Sequence, residues 1–389
     1  MQCLSQTVTG QKHMRRYMNC INKSIRRQQP FAKRSRHSAN KRRQLMEPKI
    51  NMVRNGWNQI RLQNKHGMCL DCLDYGGIVT RIDAFDRSGQ LANVALGYKD
   101  MNEYTDNSPY FGALIGRVAG RIAGASFTAE GKQIHVQANE GANHLHGGAN
   151  GLHQIRFETE TFTSARGSGV RFHHRSPDGD GGYPGNVDID ITYTLTDDNE
   201  WILSYTAKTD KRTPLTLTNH TYFNLAGEKG ATIHDHVLEM DASAYLELDN
   251  ELIATGNVVK AKGSLFDFSQ GRAFRQGLED GIEQNRCVGN GYDHYFLLDH
   301  TKHESVRVYE PKSGRVLSME TTQPGLVLYT GNGLGSEPEL TDGPSRKYGG
   351  FCLEAQASPA SLQYDDLPHI WLEPGTIYKH ETVYRFSTQ

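Results

Sequence analysis

Residues 187–195 read Val-Asp-Ile-Asp-Ile-Thr-Tyr-Thr-Leu, apolar and polar in strict alternation. That period of two belongs to a β-strand with one face in a core and the other towards water. Asp197, Asp198 and Asn199 mark a turn, and Trp201-Ile-Leu-Ser-Tyr-Thr-Ala207 resumes as a partner strand. Similar short runs recur at residues 51–75, 78–85, 126–136, 236–240, 305–309, 316–322, 326–329, 351–355 and 376–386. Gly, Pro and Asp turns separate them, drawing on 40 glycines in 389 residues. Helical periodicity is confined to short pieces such as residues 101–104. This pattern predicts an all-β fold, a large antiparallel β-sandwich with few short helices. No boundary after residue 50 splits it, so residues 51–389 are expected to form one domain.

Charge sets the first 50 residues apart. They hold 13 of the 43 Lys and Arg and one of the 44 acids, so the remainder carries a net charge of −13. A body of that sign is a poor nucleic-acid binder, because phosphate contacts need a basic surface. Residues 1–50 read as a basic, disordered extension with no part in the chemistry. They lack the apolar stretch of a secretory signal, while an Arg-containing, acid-poor organellar leader stays open. No run approaches the roughly 18 apolar residues that cross a bilayer, so the expected location is the cytoplasm, as monomer or homodimer. Six cysteines in a chain this long make no disulfide framework. Cys69-Leu-Asp-Cys72 lacks the second pair of a zinc site.

Polar residues in apolar settings mark the candidate chemistry. In Thr213-Pro-Leu-Thr-Leu-Thr-Asn-His220, Leu215 and Leu217 face one way and Thr216, Thr218 and His220 the other. His220 is either satisfied by its threonines or aimed at a ligand. Phe351-Cys-Leu-Glu-Ala-Gln356 puts Glu354 inside an apolar strand, on one face with Cys352 and Gln356. A carboxylate there is paired or functional. Asp293 and Gln323 stand in similar surroundings. Glycine at every fourth position around Arg117 and Arg121 reads as tightly packed backbone holding two guanidinium groups, the natural forks for paired oxygens. His144-x-His146 lacks a third zinc ligand at a recognisable spacing, and reads as a loop with a hydrogen-bonding imidazole. Residues 176–185 lack the bidentate Glu of a calcium loop, and residues 331–335 the spacing of a dinucleotide loop. What survives suits a sugar and acid–base chemistry.

These residues fall within motifs that together resemble the aldose 1-epimerase (galactose mutarotase) family. They are Gly116-Arg-Val-Ala-Gly-Arg121, Leu145-His-Gly-Gly148, Ser176-Pro-Asp-Gly179 with Gly182-Tyr-Pro-Gly185, Thr218-Asn-His-Thr-Tyr-Phe-Asn-Leu-Ala-Gly227, Tyr292-Asp-His294, Thr322-Gln-Pro-Gly325 and Phe351-Cys-Leu-Glu354. They occur in the family's order, from about residue 51 to the C-terminus. The resemblance implies interconversion of the α- and β-anomers of an aldohexose such as galactose or glucose. It implies Glu354 as general base and His220 as general acid, with His146 in the catalytic set. His146, Arg121, Asp293, Gln323 and Tyr222 would hold the sugar. No metal or cofactor is implied, and the partner is the small-molecule sugar. One departure is Gly120, where the family commonly has Asn, which leaves open what replaces that amide. A non-catalytic sugar binder, a glycoside hydrolase using Glu354 with Asp293, and a sugar-phosphate epimerase are the rival expectations.

Overall fold

The computed structural model describes residues 46–389, Ser108 and Asp280 excepted. The basic stretch therefore lies outside the described residues, apart from its last five, and Lys49–Met52 is already a strand.

The alternating run at Val187–Leu195 sits inside a nine-stranded antiparallel sheet, paired on one side with Gly167–Ser176 and on the other with Glu200–Thr209. Val187, Ile189, Ile191, Tyr193 and Leu195 are all buried. Each such side chain contributes about 1.5–3 kcal/mol of burial. Trp201 meets the Tyr193 ring edge-on at 5.3 Å and stacks on Tyr384 of the C-terminal strand Tyr378–Thr388 at 5.2 Å. Two five-stranded sheets contribute to the same core. One is built from consecutive strands between Lys49 and Asn93, and supplies Ile60, Leu62, Leu70 and Ile82. The other runs in the order Ala254–Lys260, Ala242–Leu248, Asp293–Leu298, Gly325–Tyr329, Cys352–Gln356, and supplies Phe296, Leu326, Leu328 and Leu353. The result is the expected β-sandwich, with helices of six residues or fewer among the described residues.

Two expectations about elements change. Residues 213–220 do not form one continuous strand. They run as two short pairings, Thr213–Pro214 with Trp371–Leu372 and Thr218–Asn219 with Leu114–Ile115. Pro214 has no N–H for a ladder, and the side chain of Asn219 donates to Gly112 O and accepts from Thr221 N. The pair Glu158–Ser164 and Gly167–Ser176 was not anticipated. The first of these has no buried position, so no apolar alternation announces it.

The Glu354 strand lies at the edge of its sheet. Its outer side is closed by the segment bearing His220: Phe223 and Phe351 exchange backbone hydrogen bonds, and Thr216 Oγ1 bonds to both Ala357 N and O. This juncture positions the site.

Candidate active site

A cleft of about 460 Å³ opens beside that juncture, lined by Arg121, His146, His220, Tyr222, Asp293, Glu354 and Gln356, residues far apart in the chain. Arg121–Ile122 pairs with His144–Leu145, which delivers Arg121 and His146 together. His146 has φ 53° and trades two hydrogen bonds with Gly120. Its N–H donates to Gly120 O at 3.2 Å, and Gly120 N–H donates to its Nδ1 at 3.1 Å. Next in the chain, a Cβ at Gly147 would stand 1.9 Å from the Gly116 oxygen, so only glycine fits.

His220 is fixed by its backbone, donating to Ala113 O at 2.9 Å and accepting from Gly112 N at 3.1 Å. Its ring packs among Tyr222, His146 and Tyr110, at centroid distances of 5.0, 5.4 and 5.9 Å. Nδ1 lies 3.5 Å from Cys352 Sγ, which turns Nε2 to Glu354 Oε1, also at 3.5 Å. Both partners are buried, at 4% and 2% exposure. The other carboxyl oxygen, Oε2, has no hydrogen-bond partner among the described residues.

Burial pushes the Glu354 carboxyl well above the ordinary carboxylate range; the Asp293 charge adds to this and Arg121 opposes it. The same burial draws the His220 imidazole down to about 4. Shifted in these opposite directions, the pair holds a proton more readily on the carboxyl than on the imidazole. Burial also keeps His146 neutral. Since its Nδ1 accepts from Gly120, its own proton sits on Nε2. Arg121 is clamped by Glu140 through Nε and Nη2 at 2.6 and 2.8 Å, and its Nη1 lies 3.7 Å from Asp293 Oδ2. Burial raises the Asp293 carboxyl, with Arg121 pulling the other way.

His146, His220 and Glu354 offer ligand atoms within 4.8 Å of one another, yet the set does not fit a metal ion. A metal takes the lone pair of a neutral imidazole, whereas His146 turns an N–H away from Gly120. Nor do His144 and His146 act as a chelating pair. The His144 nitrogens are engaged by Gln137 O at 2.5 Å and Tyr183 Oη at 2.7 Å.

Gln323 requires a correction, because it does not line this cleft. It is 1% exposed, and its amide donates to Tyr378 Oη at 2.9 Å and towards Leu217 O at 3.4 Å. It precedes Gly325–Tyr329, the strand whose Val327 stands opposite Glu354. Tyr222 is present as a wall, with its hydroxyl spent on Pro109 O at 2.9 Å. Of the two arginines, Arg117 is structural. Its guanidinium grips Ser176 Oγ and the carbonyls of Ser176, Pro177 and Pro184.

Three residues of the site escaped the sequence reading: Tyr110, Glu140 and Gln356. Gln356 shares the strand face of Glu354, a signal that was visible. Tyr110 reaches the cleft through a backbone turn with φ 60°, which its sequence does not announce.

The family model for aldose 1-epimerase matches residues 58–385. Galactose mutarotases of Homo sapiens and Sus scrofa are 40% and 39% identical to this chain over 321 residues, covering 82% of it and 91% of each relative. The aldose 1-epimerase of Escherichia coli K12 is 33% identical over 337 residues, covering 85% of this chain and 95% of that enzyme. Among solved structures, an aldose epimerase homologue from C. elegans superposes with a TM-score of 0.78 at 30% identity, covering 85% of this chain and 99% of that one. By its sequence and by the sheets that carry it, the chain belongs to the aldose 1-epimerase family.

Proposed function

We propose that the protein is an aldose 1-epimerase that interconverts the α- and β-anomers of aldohexoses, galactose and glucose being the named expectations, with Glu354 and His220 as its proton-transfer pair. The observation that carries this is the buried contact of 3.5 Å between His220 Nε2 and Glu354 Oε1, at a cleft with room for a hexose. Galactose mutarotases among its relatives support the choice of substrate.

Ring opening needs one oxygen to lose a proton as another gains one. With the shared proton on His220, the Glu354 carboxylate takes the proton of the C1 hydroxyl while His220 Nε2–H protonates the ring oxygen. The C1–O5 bond breaks and the free aldehyde forms. The pair then holds its proton on Glu354, the resting arrangement that burial favours. Rotation by half a turn about C1–C2 presents the other face of the aldehyde. In reclosure Glu354 returns its proton to the aldehyde oxygen, and His220 removes the proton of the C5 hydroxyl as it attacks. The pair ends as it began, so no proton need be exchanged with solvent during a turnover. His146 Nε2–H donates to a sugar oxygen, and Arg121 with Asp293 engages neighbouring hydroxyls by charge-assisted hydrogen bonds.

Polarimetry on freshly dissolved α-D-galactose and α-D-glucose tests the proposal. The wild type is expected to speed equilibration over buffer, and Glu354→Gln or His220→Asn to reduce kcat by about 10²–10⁴-fold. A wild type no faster than buffer, or a fully active Glu354→Gln, would defeat it.

A further inference from the structure

His146 can donate from Nε2 to a sugar oxygen only in one of its two neutral forms, and the fold contains a device that selects it. Gly120 N–H donates to Nδ1 at 3.1 Å. That N–H and the carbonyl of Ala119 belong to a single peptide group, so whatever orients the carbonyl aims the N–H. The carbonyl is held by Gln356, whose Nε2 donates to Ala119 O at 3.1 Å and lies 3.4 Å from Ala357 O. Two carbonyls beside Nε2, and no partner at Oε1 among the described residues, settle which end of the amide is which. Ala119 N is tied in turn to Thr216 O at 3.0 Å.

Gly120 leaves room for this arrangement. At φ +84°, with a Cβ that would come within 3.1 Å of Pro359 and 3.4 Å of Gln356 Nε2, it has no side chain to compete for the peptide. The amide therefore comes from the strand of Glu354, two residues beyond it and on the same face.

From this chain of contacts we infer that Gln356 is a positioning residue for the reaction. Its donor fixes the peptide between Ala119 and Gly120, the peptide's N–H holds Nδ1 of His146 as an acceptor, and Nε2–H is thereby presented to the substrate. Hydrogen bonds linked through one peptide group polarise one another, so loss of the first weakens the second. The inference rests on the cleft being a sugar site, but the state of His146 can be measured without sugar.

Protein labelled with ¹⁵N-histidine, with His146 assigned by difference from a His146→Asn variant, separates protonated from unprotonated ring nitrogens. In the wild type at neutral pH, the proton of His146 is expected on Nε2. In Gln356→Met, which keeps the length of the side chain and loses its donor, a population protonated at Nδ1 is expected. With it, kcat/KM falls about tenfold, the scale of one lost hydrogen bond, while the shape of the pH profile set by Glu354 and His220 is kept. Gln356→Leu, also without a donor, serves as a second variant should the first fail to fold. A wild-type His146 protonated at Nδ1 overturns the inference without any variant. So does a folded variant whose tautomer and kcat/KM match the wild type. Failure of the wild type to speed mutarotation would defeat the functional reading, whereas the tautomer result bears on this inference alone.

Discussion

At the scale of single residues, the two shifted titrations make a sharp statement about pH. On the proposed mechanism the pair works while it holds one proton. Acidification through about 4 puts a second proton on His220 while Glu354 keeps its own, and the base is lost. Alkalinity strips the last proton, above the ordinary range of a carboxylate, and the acid is lost. The rate of mutarotation, followed by polarimetry across pH, is therefore expected to show its acid limb near 4 and its alkaline limb above the ordinary carboxylate range. An acid limb at the usual imidazole value near 6.5 instead would count against the lowered His220. The same burial bears on stability. A carboxyl whose folded value is raised favours the folded state fully only below its unfolded value, and that stability is lost as pH rises towards the folded value. At neutral pH the wild type bears that cost and Glu354→Gln does not. Thermal unfolding should find the variant more stable, by on the order of 1 kcal/mol, as when a strained functional group is relieved. The difference should shrink as pH falls below the range where free glutamate ionises.

At the scale of elements, the two arginines spaced four apart have different duties, and only the fold separates them. Arg117 places a guanidinium, 4% exposed, against four oxygens of the turn at residues 176–184. Arg117→Ala would leave those acceptors buried without donors, at a cost of about 3 kcal/mol or more in urea unfolding. Arg121→Ala should leave stability nearly intact and raise KM instead. The contrast also measures what was legible in the sequence. Strands such as Val187–Leu195 declare themselves, because one face is apolar along their whole length. Glu354 declares itself as a charge in such a strand, and the ordered motifs around His146, His220 and Asp293 name the site. Gln323 misleads because a polar residue beside a strand looks the same whether it faces a ligand or a buried tyrosine. Its partner Tyr378 lies 55 positions away, and no local pattern encodes that contact. Tyr110 and the clamp of Glu140 on Arg121 are invisible for the same reason.

At the scale of the whole molecule, the site belongs to no single element. His220 and Glu354 are 134 positions apart, and Arg121, His146 and Asp293 arrive on further segments. The edge of the Glu354 strand is closed by the segment bearing His220, and that segment pairs with residues 114–115 and 371–372. The sheets behind it share one core. A cleft assembled this way cannot persist once the sheets separate. Activity in rising urea is therefore expected to vanish with the same midpoint as the fluorescence of buried Trp201 and the far-ultraviolet signal of the strands, as a cooperative transition requires. Loss of activity well before either signal would mean that the juncture opens by itself. The lining of the cleft lies wholly between Pro109 and Gln363. Removing residues 1–45 should consequently leave kcat/KM within about twofold. A larger drop in kcat/KM on truncation would show that the basic stretch reaches the site, and that the acidic body is not the whole of the catalyst.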